Sequence, residues 1–238
     1  MPKRNIVYPL FLVWYGIGFT LMFFFTLPDY LLFSVAIFLI LFAWASISLY
    51  AKGNFDWLIA CLICIVTFAI EAIGVATGFP FGEYTYTSIL GAKLFGVPFT
   101  LGFAWLGVIY TAILLSNTKS KVYRAIEVGC WIVILDLVLD PAAVVLNFWE
   151  WTGDGDYFSI PLSNFIAWFV IGSFLSLFVP IRNISLRERR KGTCIFQAIL
   201  FMFGMLTVKE GYLFMLVPMI AGMTLAEGRY HYAKSKEK

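Results

Sequence analysis

The residues best suited to chemistry in this chain are three carboxylates in apolar surroundings. Asp136 and Asp140 fall in the run ILDLVLDPAA, residues 134–143, and Glu71 lies in the run IVTFAIEAIG, residues 65–74. On a helix Asp136 and Asp140 sit one turn apart on a shared face. A carboxylate at mid-bilayer costs on the order of 2.5–3.5 kcal/mol. No Lys, Arg or His stands in the middle of these apolar runs to neutralise them. Such acids must hydrogen-bond, meet water in a cavity or stay protonated, and a buried carboxylic acid kept neutral is a proton donor.

Other chemistries lack their residues. His231 is the single histidine and lies near the C-terminus, so a histidine-rich di-iron site cannot be built. GIG at residues 16–18 lies within an apolar run and is not the turn of a dinucleotide fold; no Walker sequence and no mid-helix lysine for a Schiff base are present. Carboxylic acids, water and aromatic rings remain, with no cofactor and no metal expected. That set suits protonation of an alkene: a trisubstituted double bond yields a tertiary carbocation, which each tryptophan or tyrosine face stabilises by about 2 kcal/mol when desolvated. Capture by water gives a tertiary alcohol, and attack by a neighbouring double bond gives a ring.

The elements that position these acids follow from composition. Of 238 residues, 61% are apolar and 13% charged, which describes a polytopic membrane protein. The apolar runs predict an all-α bundle of transmembrane helices at Val7–Phe25, Leu31–Tyr50, Trp57–Thr77, Phe99–Leu115, Ile126–Leu146, Pro161–Val179, Thr193–Val208 and Tyr212–Ala226. That makes about eight spans in one integral membrane domain, residues 1–238; reading the last two, short ones as one broken span around Lys209 and Glu210 gives seven. Spans built as lipid-facing strands are not expected, since two-residue alternation is lacking. With the N-terminus inside, all of the 17 basic residues except Lys93 and Lys209 fall on the cytoplasmic side. Both termini, including a charged tail at 227–238, are expected to be cytoplasmic. The net charge of +3 then reports topology and not nucleic-acid binding. Cys61 and Cys64 form a CxxC on an apolar helix and read as packing residues.

Two loops on the outer side, residues 71–99 and 147–168, are dense in Gly, Pro, Thr and aromatics. Glu71 lies roughly 21 Å up its span, and Asp136, Asp140, Asn164, Trp168, Trp105 and Tyr110 fall at comparable depths on theirs. One polar pocket opening outward would collect them, joined by Glu83, Tyr84 and Tyr86 from the first loop. Structural readings stand beside these. Asp140 before Pro141 is a natural N-cap pair that could restart a broken helix. Glu71 shares a face with Gly74 and Gly78, which suits close helix packing, and Asn164 suits interhelical hydrogen bonding. Glu83 could be a solvated charge, and Trp149, Trp151 and Tyr157 read as interfacial anchors.

The run EAIGVATGFPFGEYTY from Glu71 to Tyr86, Gly96-Val97-Pro98, Trp105, Tyr110, DLVLDPA from Asp136 to Ala142, WEW at 149–151, Gly155, Tyr157 and IPLSNFIAW from Ile160 to Trp168 form an ordered set. It resembles the carotenoid biosynthesis membrane-protein family that includes the CruF-type carotenoid hydratases, over residues 71–168. The resemblance implies cofactor-free addition of water to the terminal isoprene unit of a carotenoid, acyclic, monocyclic or a longer-chain precursor of bacterioruberin. It implies as partners that carotenoid, membrane lipid and other carotenoid biosynthesis enzymes, in a prokaryotic cell membrane. Depth and burial make Asp136 or Glu71 the proton donor, with the other or Asp140 positioning water. Glu83, Tyr84, Tyr86, Trp105, Tyr110, Asn164 and Trp168 would contact substrate. The rival readings are a carotenoid cyclase with the same acid chemistry but no water, and a non-catalytic carotenoid or lipid transporter.

Overall fold

Eight α-helices and four short strands make up the described part of the chain in the computed structural model, which describes residues 6–25, 28–31, 33–153 and 155–236. Lys3, Arg4 and Lys238, which entered the reading of orientation, and Asp154 of the second loop lie outside the described residues.

The helices are α1 Val7–Phe24, α2 Phe33–Tyr50, α3 Asn54–Thr77, α4 Leu101–Leu115, α5 Lys121–Val145, α6 Leu162–Ser176, α7 Leu186–Lys209 and α8 Leu216–Lys236. Five of them, α1, α2, α3, α5 and α7, are long and apolar enough to cross a membrane. The architecture is the expected all-α polytopic bundle, with eight helices and not seven. Residues 210–215, including a 3-10 turn at Leu213–Met215, separate α7 from α8, and Gly211 takes φ 99°, a conformation that favours glycine. Helix α7 is far from short: it begins at Leu186, where Ser185 and Glu188 form a reciprocal capping box. The charged segment expected as a tail from residue 227 continues α8 as far as Lys236, fastened by Arg190–Glu227 and Arg229–Glu127 ion pairs, both 2.5 Å.

Helix α4 is the central post. Its run LGFAWLGVIYTAILL is apolar on every side, and all of it except Phe103 and Ala104 is buried against α2, α3, α5 and α7. Close approach depends on Gly107, where a Cβ would stand 2.3 Å from the Phe42 ring of α2. Helix α1 is its opposite: Phe11 is its one buried residue among those described.

Helices α4 and α6 have 15 residues each, about 22 Å of rise, so both end inside the bundle. Their last carbonyls have no helical donor, which apolar surroundings do not forgive. Two buried arginines supply donors. Arg189 reaches the carbonyls of Leu114 (3.0 Å), Leu115 (3.2 Å) and Ser116 at the end of α4. Arg124 reaches those of Ser176 (2.6 Å), Val179 and Pro180 (3.1 Å) at the end of α6. These two basic residues therefore close helix ends, beyond any part they play in topology.

Helix α5 carries the two aspartates and runs unbroken through Pro141. The N-cap reading of Asp140 is overturned, because no helix restarts there. Pro141 has no N–H for the Leu137 carbonyl four residues earlier. The Tyr157 hydroxyl donates to that carbonyl instead, at 2.7 Å, which lets the helix carry both acids past a proline. Tyr157, read as an interfacial anchor, is a substitute backbone donor. Burial and the neighbouring Asp136 push its phenol up to about 12, so it keeps the proton it donates.

The two long loops are stitched together. Strand β1 (Tyr84–Tyr86) pairs antiparallel with β4 (Trp149–Trp151) in the register Tyr84↔Trp151, Thr85↔Glu150, Tyr86↔Trp149, and β2 (Lys93–Leu94) pairs with β3 (Val97–Pro98). Bonds from Thr87 N to the Phe148 carbonyl (3.0 Å) and from Thr152 N to the Glu83 carbonyl (2.9 Å) extend the first pair. Alternation turns Tyr84, Tyr86 and Trp149 inward and leaves Thr85 and Glu150 exposed. The result is a lid over one end of the helices.

Candidate active site

Four helices bring polar side chains to the end of the bundle beneath the lid. Glu71 lies near the C-terminus of α3, Asp136 and Asp140 near that of α5, and Trp105, Asn164 and Trp168 in the opening turns of α4 and α6. All six are buried within the bundle, Trp168 being the most accessible at 7%.

The first cluster centres on Glu71. Its Oε2 accepts from the hydroxyls of Tyr84 (2.6 Å) and Tyr86 (2.8 Å), and its Oε1 accepts from Trp105 Nε1 at 2.8 Å. Both tyrosines come from β1, and the local fold explains their reach. Gly74, one turn beyond Glu71, leaves room for the lid: a Cβ there would stand 2.7 Å from the Phe81 ring and 3.0 Å from the Tyr84 hydroxyl. Gly78 then ends α3 in the left-handed region, φ 73°. Burial, and after it the Glu71 charge, push the Tyr84 and Tyr86 phenols far above their ordinary value, so both act as donors. Three donors on one carboxyl group suit a carboxylate. Lys93 Nζ donates to the Tyr86 carbonyl and holds the strand from behind.

The second cluster joins the aspartates. Asn164 Nδ2 donates to Asp140 Oδ2 at 2.6 Å and to Asp136 Oδ2 at 3.2 Å, and Trp149 Nε1 donates to Asp140 Oδ1 at 2.6 Å. Asp136 Oδ1 is buried without a hydrogen-bond partner. No ion pair reaches either aspartate or Glu71 among the described residues.

Both clusters meet at one cavity of about 100 Å³. Glu71, Asp140 and Asn164 contribute polar atoms to its wall, and Asp136 stands behind Asn164 without lining it. The indoles of Trp105 and Trp168 stack with centroids 4.2 Å apart and planes at 26°, and both line the space. Apart from Ser34, Tyr84 and Tyr86 the rest of the wall is apolar, including Trp149 and Trp151 from the lid and side chains of α1, α2 and α7.

Eight of the ten residues expected at the site thus gather here. Two do not. Glu83 is exposed on the lid. Tyr110 packs edge-on against Tyr50, with ring centroids 5.7 Å apart, at the far end of α4. Five residues beyond Trp105, it is about 7.5 Å lower and turned to another face. Trp149 and Trp151 were missed as site residues. The pattern W-E-W facing Y-T-Y was the available signal, because alternation in both loops allows them to pair.

The profile of a family described as carotenoid biosynthesis protein matches residues 34–228. A curated relative from Haloarcula japonica, named bisanhydrobacterioruberin hydratase, is 33% identical over 118 residues, covering 47% of this chain and 40% of the relative. The match therefore spans less than half of that protein. No solved structure matches.

Proposed function

The chain belongs to the family of carotenoid biosynthesis proteins, and from that premise we propose that it adds water across the terminal isoprene double bond of a carotenoid without a cofactor. The observation that carries this reading is that Glu71 and Asp140 face one apolar cavity beside the stacked indoles of Trp105 and Trp168.

The steps balance within the site. Asp140, tied to Asp136 through Asn164, gives its proton to the less substituted carbon of the double bond; the π electrons form the new C–H bond and leave a tertiary cation. The Trp105 and Trp168 faces and the Glu71 carboxylate stabilise that cation. A water molecule attacks it, forming the C–O bond, and passes its proton to Glu71. The proton returns through water to the aspartate pair, so the net change is one water added. Asp136 acts through Asp140 and Asn164, since it does not line the cavity. The name of the Haloarcula japonica relative supports hydration over the cyclase and transporter readings.

In this proposal the protein sits in a prokaryotic cell membrane with both termini inside and the lid outside. Its orientation rests on the basic residues, and its substrate arrives from other carotenoid enzymes through the lipid.

The test is mass spectrometry of pigments from bacteria that accumulate lycopene or a longer-chain acyclic carotenoid and express this chain. A product heavier by one water per reacted end is expected. A product of unchanged mass with a new ring would mean a cyclase, and unaltered pigment bound to membrane-inserted protein would mean a carrier.

A further inference from the structure

The cavity is walled unevenly. The acids, the stacked indoles and the α7 side chains on its wall are buried, whereas Trp14, Gly18 and Met22 of α1 and Ser34, Val35 and Leu39 of α2 are partly exposed, as are Ala104, Leu139 and Trp151. Helix α1 is the least embedded of the bundle, packed on α2 and α7. The exposed part of the wall, its mouth, therefore lies mainly along α1 and α2.

Gly18 differs from the glycines of the helix contacts. A Cβ at Gly102, Gly107, Gly172 or Gly204 would fall between 2.2 and 2.6 Å from a neighbouring side chain, so those positions are small for the sake of packing. A Cβ at Gly18 would meet nothing within 4 Å, although Gly18 lines the cavity. It is a gap in the wall at the mouth.

The volume calls for such a gap. About 100 Å³ is well below the roughly 300–1,000 Å³ of pockets that engulf a drug-sized ligand. It accommodates the reacting end of a long isoprenoid, and the rest of the chain must lie elsewhere. We propose that the unreacted chain of the substrate leaves the bundle between α1 and α2, across Gly18, into the lipid. The flanking Trp14, Met22, Val35 and Leu39 offer it an apolar track. The identity of the chain rests on the hydratase reading above.

The test compares Gly18→Phe with Gly16→Phe. Gly16 also has nothing within 4 Å of its Cβ but does not line the cavity, so both variants should fold, as size-exclusion elution would verify. Each is expressed in a carotenoid-accumulating host and read in two ways: carotenoid retained per purified protein, and pigment converted. Gly16→Phe should behave as wild type, and Gly18→Phe should lose at least tenfold in both. Wild-type levels of both in Gly18→Phe would overturn the proposal. If wild-type protein retains carotenoid but converts none, the hydratase reading fails while the retention contrast still decides the path. If it converts without retaining, conversion decides. Neither retention nor conversion by the wild type would overturn both.

Discussion

The amide of Asn164 lies 2.6 Å from Asp140 Oδ2, and the same nitrogen reaches Asp136 at 3.2 Å. A single donor group from α6 thereby ties together two carboxyls of α5 that have no cation beside them among the described residues. Two carboxylates so placed in apolar surroundings would be costly to keep ionised together, and of the two only Asp140 lines the cavity.

Replacing Asp140 by Asn keeps the shape and removes the acid. Conversion should fall by about 100-fold or more, the usual worth of a placed general acid. Asp136→Asn should lose less, because that residue acts through its neighbour. Pigment mass spectrometry on membrane-inserted protein measures both, and full conversion by Asp140→Asn would remove it as donor.

Glu71 joins the helices to the lid as well as facing the cavity. Glu71→Ala would leave Trp105 Nε1 and the Tyr84 and Tyr86 hydroxyls without their acceptor, at about 1–3 kcal/mol for each buried group left unpaired. The detergent-solubilised variant should melt at lower temperature, and its lid should be cleaved faster by protease. Unchanged melting would show that the lid is held by other contacts.

The Tyr157–Leu137 bond can be isolated by a double-mutant cycle. Tyr157→Phe strands the Leu137 carbonyl and should destabilise by about 1–3 kcal/mol. Pro141→Ala restores a backbone N–H to that carbonyl, so in the Tyr157→Phe background it should recover much of the loss. Additive effects of the two substitutions on the melting temperature would mean that the hydroxyl is not standing in for the missing N–H.

Arg189 is expected to matter for stability and not for product. Arg189→Met removes the donors for three carbonyls at the end of α4 and should cost about 3 kcal/mol or more. The surviving protein should make the same compound. A changed product at unchanged stability would point to a role in the site.

Tyr110 offers a contrast. Its hydroxyl is buried without a hydrogen-bond partner, so Tyr110→Phe has no bond to lose and should leave melting and conversion near wild type. Tyr84→Phe, which removes a 2.6 Å bond to Glu71, should reduce conversion. Equal losses in the two variants would bring Tyr110 back into the site.

The alternation of apolar runs with charged islands was enough to give the eight helices of the bundle, five of them long and apolar enough to cross a membrane, and three acids without partners in such runs marked where chemistry was to be sought. Both are local properties: burial in lipid acts on each run by its own length and composition, and a lone carboxylate is costly wherever its span ends up. The tertiary structure decided what depends on residues distant along the chain. It paired Tyr84 with Trp151, carried α5 through Pro141 with a donor from the next loop, and turned Asp140 toward the cavity with Asp136 behind Asn164. It also left space beside Gly18 on the cavity wall while Gly102, Gly107, Gly172 and Gly204 are pressed against neighbours. A strand of three residues has too little local preference to declare itself, and the face that a helix turns to a cavity is set by the helices around it.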